Sequence, residues 1–191
     1  MKKELICRIF SRMPELETER LILRRMRVGD EDDMYAYARR SEVTRYLLWS
    51  PHPTRDYTAR YLQYLQDRYT AGDFYDWAIV PNDLGHMIGT CGFTRFDYTN
   101  NSAEVGYVLS PDHHGKGYAT EALLRVLSFG FHELNLHRIE AHYLENNLAS
   151  RRVMERVGMT FEGISRGAIV VKGRYENVGI CSILREEYEN S

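Results

Sequence analysis

Cysteine is scarce in this sequence. The 191-residue chain has three, Cys7, Cys91 and Cys181. They are far apart, odd in number and without a C-x-x-C pair, which argues against a disulfide framework and against a zinc knuckle. Proline is scarce too, with five residues, and no proline- or glycine-rich low-complexity stretch marks a linker. No apolar run approaches the ~18 residues that a membrane-spanning helix needs. Excess charge is missing as well. The formal net charge is -2, so no global field draws the chain to nucleic acid or to anionic lipid. The opening stretch, MKKELICRIFSRMPE, has basic residues but neither the apolar centre nor the small-residue cleavage site of a secretion signal. A reduced, cytoplasmic setting is the expectation that follows.

What is present is a chain of 43% hydrophobic residues, enough to bury a real core in one domain. Residues 1–15 have no clear assignment and are taken as an N-terminal extension to a single domain over 16–191. Leu16 to Met26 alternates as a strand does. Asp30 is placed to cap a helix through Met34 and Ala38, and Ser41 to start a short helical turn. Thr54 is placed to cap a longer helix that Gly72 stops. Phe74–Val80, Met87–Phe96 and Ala103–Leu109 form three strands joined by short turns, an antiparallel meander. A helix from Ala119 to Leu134 leads to a strand at Arg138–Tyr143, so those two strands run parallel through a right-handed crossover. Ala149–Val157 is a second helix closed by Gly158, and Phe161–Val171 and Val178–Arg185 are two last strands. The expectation is one α/β domain built on a mixed sheet.

The centre of the pattern is the passage from Ala103 to Leu134. A strand is broken by Ser110-Pro111-Asp112. Next comes the tight turn His113-His114-Gly115-Lys116-Gly117, and then the long helix. This order leaves unpaired backbone N–H groups at the positive end of a helix, a seat for a phosphate. Charge-assisted hydrogen bonds there contribute about 1.5–3 kcal/mol each, and the helix end about 0.3–2 kcal/mol more. The turn does not fit the G-x-x-x-x-G-K-[ST] loop. It half-matches the dinucleotide fingerprint, with Gly115 and Gly117 in place but Thr120 at the third glycine position, and the preceding meander argues against a dinucleotide-binding domain.

The runs SPDHHGKGYATEAL and ENNLASRRVMERVGMTFEG, in that order, resemble the acetyl-CoA-binding core of the GCN5-related N-acetyltransferases, the GNAT superfamily. Within it the chain is similar to the RimJ/RimL-type acetyltransferases of ribosomal-protein N-termini. The likeness extends to ETERLILRRMRVGDEDDM near the start and GRYENVGICSILREEY near the end. It implies a mixed, mostly antiparallel sheet flanked by helices and splayed between its fourth and fifth strands. It implies acetyl-CoA as cosubstrate, no metal, and transfer to a primary amine by direct attack. That amine would be a protein or peptide N-terminus, with a small-molecule amine as the alternative, and the enzyme a monomer or homodimer. A coenzyme-binding module without turnover is a further alternative.

The resemblance also implies site residues. His114, Gly115, Lys116, Gly117, Tyr118, Ala119 and Thr120 would cradle the coenzyme pyrophosphate, His114 standing where the family has Gln or Arg. Val108 would pair with pantetheine, and Asn147 matches a coenzyme-contacting Asn. The family's usual proton-donating Tyr is replaced by Met154, leaving Ser150 either to protonate the thiolate or to cap its helix. Glu104 would orient or deprotonate the amine. Arg45, Tyr46 and Trp49 fall where the acceptor pocket lies, and Tyr107 reads as packing. His52, His113 and His114 lack a sensibly spaced third metal ligand. Near the end, Asn177 and Cys181 stand where the family has Asp and Tyr, which leaves the acceptor open.

Overall fold

The computed structural model describes residues 2–190; Met1 and Ser191, the outer ends of the two segments expected from the sequence, lie outside them. The helices are α1 (Lys3–Ser11), α2 (Glu31–Ala38), α3 (Ser41–Thr44), α4 (Arg55–Ala71), α5 (Tyr118–His132), α6 (Leu148–Arg156) and α7 (Arg185–Glu189). The strands are β1 (Leu16–Glu17), β2 (Leu21–Arg24), β3 (Tyr75–Pro81), β4 (Gly89–Asp97), β5 (Ser102–Leu109), β6 (Arg138–Leu144), β7 (Thr160–Val171) and β8 (Arg174–Leu184). They form one sheet in the order β1-β2-β3-β4-β5-β6-β8-β7. Among the described residues only the β5–β6 pair is parallel. No helix among the described residues is long and apolar enough to cross a membrane.

Most sequence expectations fall within a residue or two of the observed ends. Thr54 caps α4 by accepting from the Tyr57 N–H at 3.1 Å, and Gly72 ends that helix at φ 70°. Two expectations are corrected. The strand expected over Leu16–Met26 is a hairpin, with Leu16 opposite Leu23. Its reversal is held by Thr18, whose N–H and hydroxyl both meet the Leu21 carbonyl. Asp30 precedes α2 but its side chain caps nothing in that helix. The buried Arg24 guanidinium takes both of its oxygens at 2.7 Å, because a buried arginine needs a carboxylate more than a helix needs a cap.

The strand alternation sorts side chains to two faces. On one, Phe10 of α1, Trp77 of β3 and Phe129 of α5 meet ring to ring, with centroids 5.5 Å apart for Phe10–Trp77 and for Trp77–Phe129. Ile6 and Phe10 are fully buried, so α1 covers this core. On the other face α2 and α4 pack together and bury Tyr37, Leu62, Leu65 and Tyr69.

Candidate active site

The splay lies between β5 and β6, the expected fourth and fifth strands once the first is seen to be the β1–β2 hairpin. The strands pair from Ser102–Arg138 to Val105–Ala141 and then part, although β5 runs on to Leu109 and β6 to Leu144. Each is held by its outer neighbour. β5 stays paired with β4 as far as Leu109–Gly89, and β6 with β8 as far as Leu144–Val178. Glycine makes both outer contacts close. A Cβ on Gly89 would stand 2.2 Å from the Val108 carbonyl oxygen, and one on Gly179 would stand 2.2 Å from the Tyr143 ring. The parted edges open a cleft of about 860 Å³. Val108, Glu104, Asn147, Ser150, Tyr46 and Trp49 all line it, so the structure gathers six of the sequence-predicted residues around one cavity.

The glycine turn stands at the head of α5. Gly115 and Gly117 adopt φ 76° and 83°, left-handed angles that glycine takes without strain. Among the described residues, no protein acceptor meets the N–H groups of Gly115, Lys116, Gly117, Tyr118, Ala119 or Thr120. Two side chains fix this arrangement. Arg20 donates to the Lys116 carbonyl at 3.0 Å and to Glu121 at 2.7 Å, and its guanidinium lies 5.0 Å from the Tyr118 ring centre. Glu121 also accepts from Thr18 at 2.6 Å; these donors hold its carboxyl below the usual range despite partial burial. A carbonyl is thus turned away and successive amides are left pointing outward. The imidazole Nε2 of His114 donates to the Leu109 carbonyl at 3.1 Å, tying the turn to the end of β5.

Across the cleft, α6 begins one residue before the expected start. Its cap is Asn147, whose side-chain oxygen accepts from the Ser150 N–H at 3.3 Å. Ser150 is therefore the capped residue and not the cap: it lies in the first turn, where its own oxygen has no free helix N–H to accept. Its hydroxyl meets the Tyr107 hydroxyl at 2.9 Å, and Tyr107 also donates to the Ser150 carbonyl at 2.8 Å. Burial pushes the Tyr107 hydroxyl up, keeping its proton in place. Tyr107 thus carries a proton into the cleft beside Ser150, a contact that its reading as packing misses. Met154 lines the same wall and is buried.

Glu104 belongs to a charged row across three strands. It is in register with Arg95 on β4 and Glu140 on β6. Arg95 lies 3.4 Å from each carboxylate, and Arg138 3.1 Å from Glu140. His142 lines the cleft with Nδ1 3.7 Å from Glu104 and Nε2 3.4 Å from Glu140. Glu104, Glu140 and His142 could converge on a cation, but arginine already neutralises both carboxylates. On the acceptor side, His52 sits between Trp49 and Tyr57, tilted to the first and edge-on to the second, with centroids 5.4 and 4.9 Å away. Its Nδ1 lies 2.8 Å from the Thr58 hydroxyl, and burial lowers its pKa. Arg45 is exposed and does not reach the cleft; its guanidinium lies 5.3 Å from the Tyr46 ring centre, on the outside of that wall. Lys172, at the β7–β8 turn, donates to the Thr44 carbonyl at 2.6 Å and closes this wall over α3. No cysteine lines the cleft, and burial raises the Cys91 and Cys181 thiols.

A model of the acetyltransferase (GNAT) domain matches residues 20–160. The chain belongs to the GNAT acetyltransferases. It is 36% identical over 176 residues to the Bacillus licheniformis protein named "Uncharacterized N-acetyltransferase p20", covering 92% of this chain and 99% of that one. A GNAT-family acetyltransferase structure from Bacillus anthracis superposes with a TM-score of 0.81 at 26% identity, over 91% of this chain and 99% of that one. Spermidine N-acetyltransferase from Vibrio cholerae, solved with CoA and spermine, gives a TM-score of 0.76 at 25% identity, over 91% and 100%. This GNAT enzyme is an N-acetyltransferase that uses acetyl-CoA, and the residues in hand fit that donor. The free amides of the turn suit a pyrophosphate, and the unpaired inner edge of β5 suits an amide-bearing arm.

Proposed function

We propose that this GNAT enzyme acetylates the N-terminal amine of a protein or peptide, in the manner of the RimJ/RimL branch and in the cytoplasm, by direct attack within a ternary complex. The observation that carries the reading is the continuity of the cleft. One cavity joins Asn147 and Ser150, at the head of α6, to Glu104 and on to Tyr46 and Trp49. Acetyl-CoA supplies the activated acetyl group. The amides from Gly115 to Thr120 hold its pyrophosphate, the Val108 backbone pairs with its arm, and Asn147 steadies that arm.

The amine nitrogen forms a bond to the thioester carbon, and the carbon–sulfur pair leaves on sulfur. Ser150, backed by Tyr107, supplies the proton that sulfur takes up. Glu104 receives the amine's proton, directly or through water, beside His142. An α-amine suits this modest base. Deprotonating one at pH 7 costs about 1 kcal/mol, against roughly 4.6 for a lysine side chain. A small-molecule amine is the second reading, favoured by the carboxylate of Asp76 on the acceptor side of the cleft.

Thiol release measured with a panel of peptides and small amines, and acetylated products read by mass spectrometry, tests both readings. A peptide acceptor is expected to give the highest kcat/KM. Ser150→Ala and Tyr107→Phe are each expected to lower kcat about tenfold to hundredfold while the acetyl-CoA dissociation constant stays within about threefold. Release with no amine in the panel would overturn the proposal.

A further inference from the structure

Asp76 is the acid that the transfer chemistry leaves unused. It lies on β3 between Tyr75 and Trp77, and therefore points to the opposite face from the aromatic core. It lines the cleft, and its Oδ1 is a buried atom with no hydrogen-bond partner. None of the ion pairs among the described residues involves it. The Thr90 hydroxyl and the Trp77 N–H lower its pKa, but burial outweighs them and pushes the carboxyl up to about 7. Asp73, three residues earlier and also lining the cleft, is matched with Arg68 at 2.6 Å, so that cation is already paired.

The sheet beside Asp76 is kept bare. Asp76 is opposite Gly92, and Gly92 is opposite Gly106. A Cβ at Gly92 would stand 2.8 Å from Asp76 Oδ1 and 2.5 Å from its Cα, so only glycine leaves the carboxylate room there. The row Asp76–Gly92–Gly106 thus carries no side chain of its own between the carboxylate and β5, and Asp76 and Gly106 both line the cleft. Tyr37 and Tyr61 line the same cleft; burial raises their hydroxyls and the Asp76 charge raises them further. An unpaired carboxylate in a cleft lined by aromatic rings is a receptor for an alkylammonium group.

Resting on the acetyl transfer described above, we propose that Asp76 is a specificity residue that binds a second cationic nitrogen of the acceptor, beyond the nitrogen that is acetylated. Two strand spacings put Asp76 about 10 Å from β5. The side chain stands off the sheet, so only one hydrogen bond is subtracted, which leaves about 7 Å between the two nitrogens. A linear diamine with about five carbons fits that span, as does the lysine side chain at the head of a peptide. The shared chemistry is a dication whose two nitrogens fall within one short chain.

The test compares kcat/KM for diaminopropane through diaminohexane with that for n-alkylamines of matched length. It does the same for lysine-first against leucine-first peptides, in the full chain and in Asp76→Asn. The dication is expected to be preferred by about tenfold to hundredfold, mainly through KM, with diamines of about five carbons best. In Asp76→Asn that ratio is expected to fall to near one. Preference confined to the peptide pair would identify a peptide source, and preference confined to the diamines a small-molecule source. Equal use of dications and monoamines by the wild type, or a preference that survives in Asp76→Asn, would overturn the assignment. Should the variant not fold, calorimetric binding of diaminobutane and butylamine to the wild type decides: equal affinity overturns it. Turnover of the monoamines tests the transferase reading separately, so the two failures are distinguishable.

Discussion

An isolated aspartate is ionised above about pH 4, but in this fold Asp76 holds its proton up to about pH 7. The native state therefore binds more protons than the unfolded chain between those values, and stability falls as pH rises through that window. Asp76→Asn removes the penalty. Its melting temperature is expected to exceed that of the wild type by more at pH 8 than at pH 5. The full shift, from 3.8 to about 7, limits the gain to about 4 kcal/mol. Identical differences at both pH values would show that the carboxyl is not perturbed. Little of this was legible in the sequence, because an aspartate inside a strand does not announce which face it takes or whether a cation follows it. The same holds for Tyr107, whose partner Ser150 lies on another element. The gathering of Glu104, Asn147 and Ser150 on one cleft was legible because they sit in motifs with fixed spacing.

The glycine turn is a device of three elements. The β1–β2 reversal supplies Thr18 and Arg20, and α5 supplies Glu121 to receive both. Loss of Glu121 releases Arg20 from the Lys116 carbonyl and lets the turn relax. Glu121→Ala is expected to raise KM for acetyl-CoA about threefold to tenfold with kcat nearly kept, in steady-state assays at saturating amine. A drop in kcat with an unaltered KM would place Glu121 in the chemistry. The turn and the long helix were readable from glycine spacing and from the three- and four-residue apolar step. The reversal that braces them was not. No glycine or proline marks Thr18-Glu19-Arg20, so Leu16 to Met26 passes for one strand.

For the whole molecule, α1 decides whether the aromatic core is closed. Phe10 touches Tyr75, Trp77, Phe93, Phe96 and Phe129, so it is the hub of that cluster. Phe10→Ala is expected to cost about 3–5 kcal/mol of folding stability, read from the urea midpoint. A cost below about 1 kcal/mol would mean that the first fifteen residues are an appendage to a core complete without them. The meander and the one parallel pair were legible because short turns and one crossover leave few topologies, and the splay was implied by the resemblance; the place of β8 between β6 and β7 was not read. The place of α1 was not, since Ile6 and Phe10 alone are too brief a pattern to reveal what they cover.

The cleft is walled by Tyr37 and Tyr61 from one side of the sheet and by Ser150 and Met154 from α6 on the other. In the proposed ternary complex, donor and acceptor then meet across the parted strands from opposite faces of the sheet, and neither stands in the other's way.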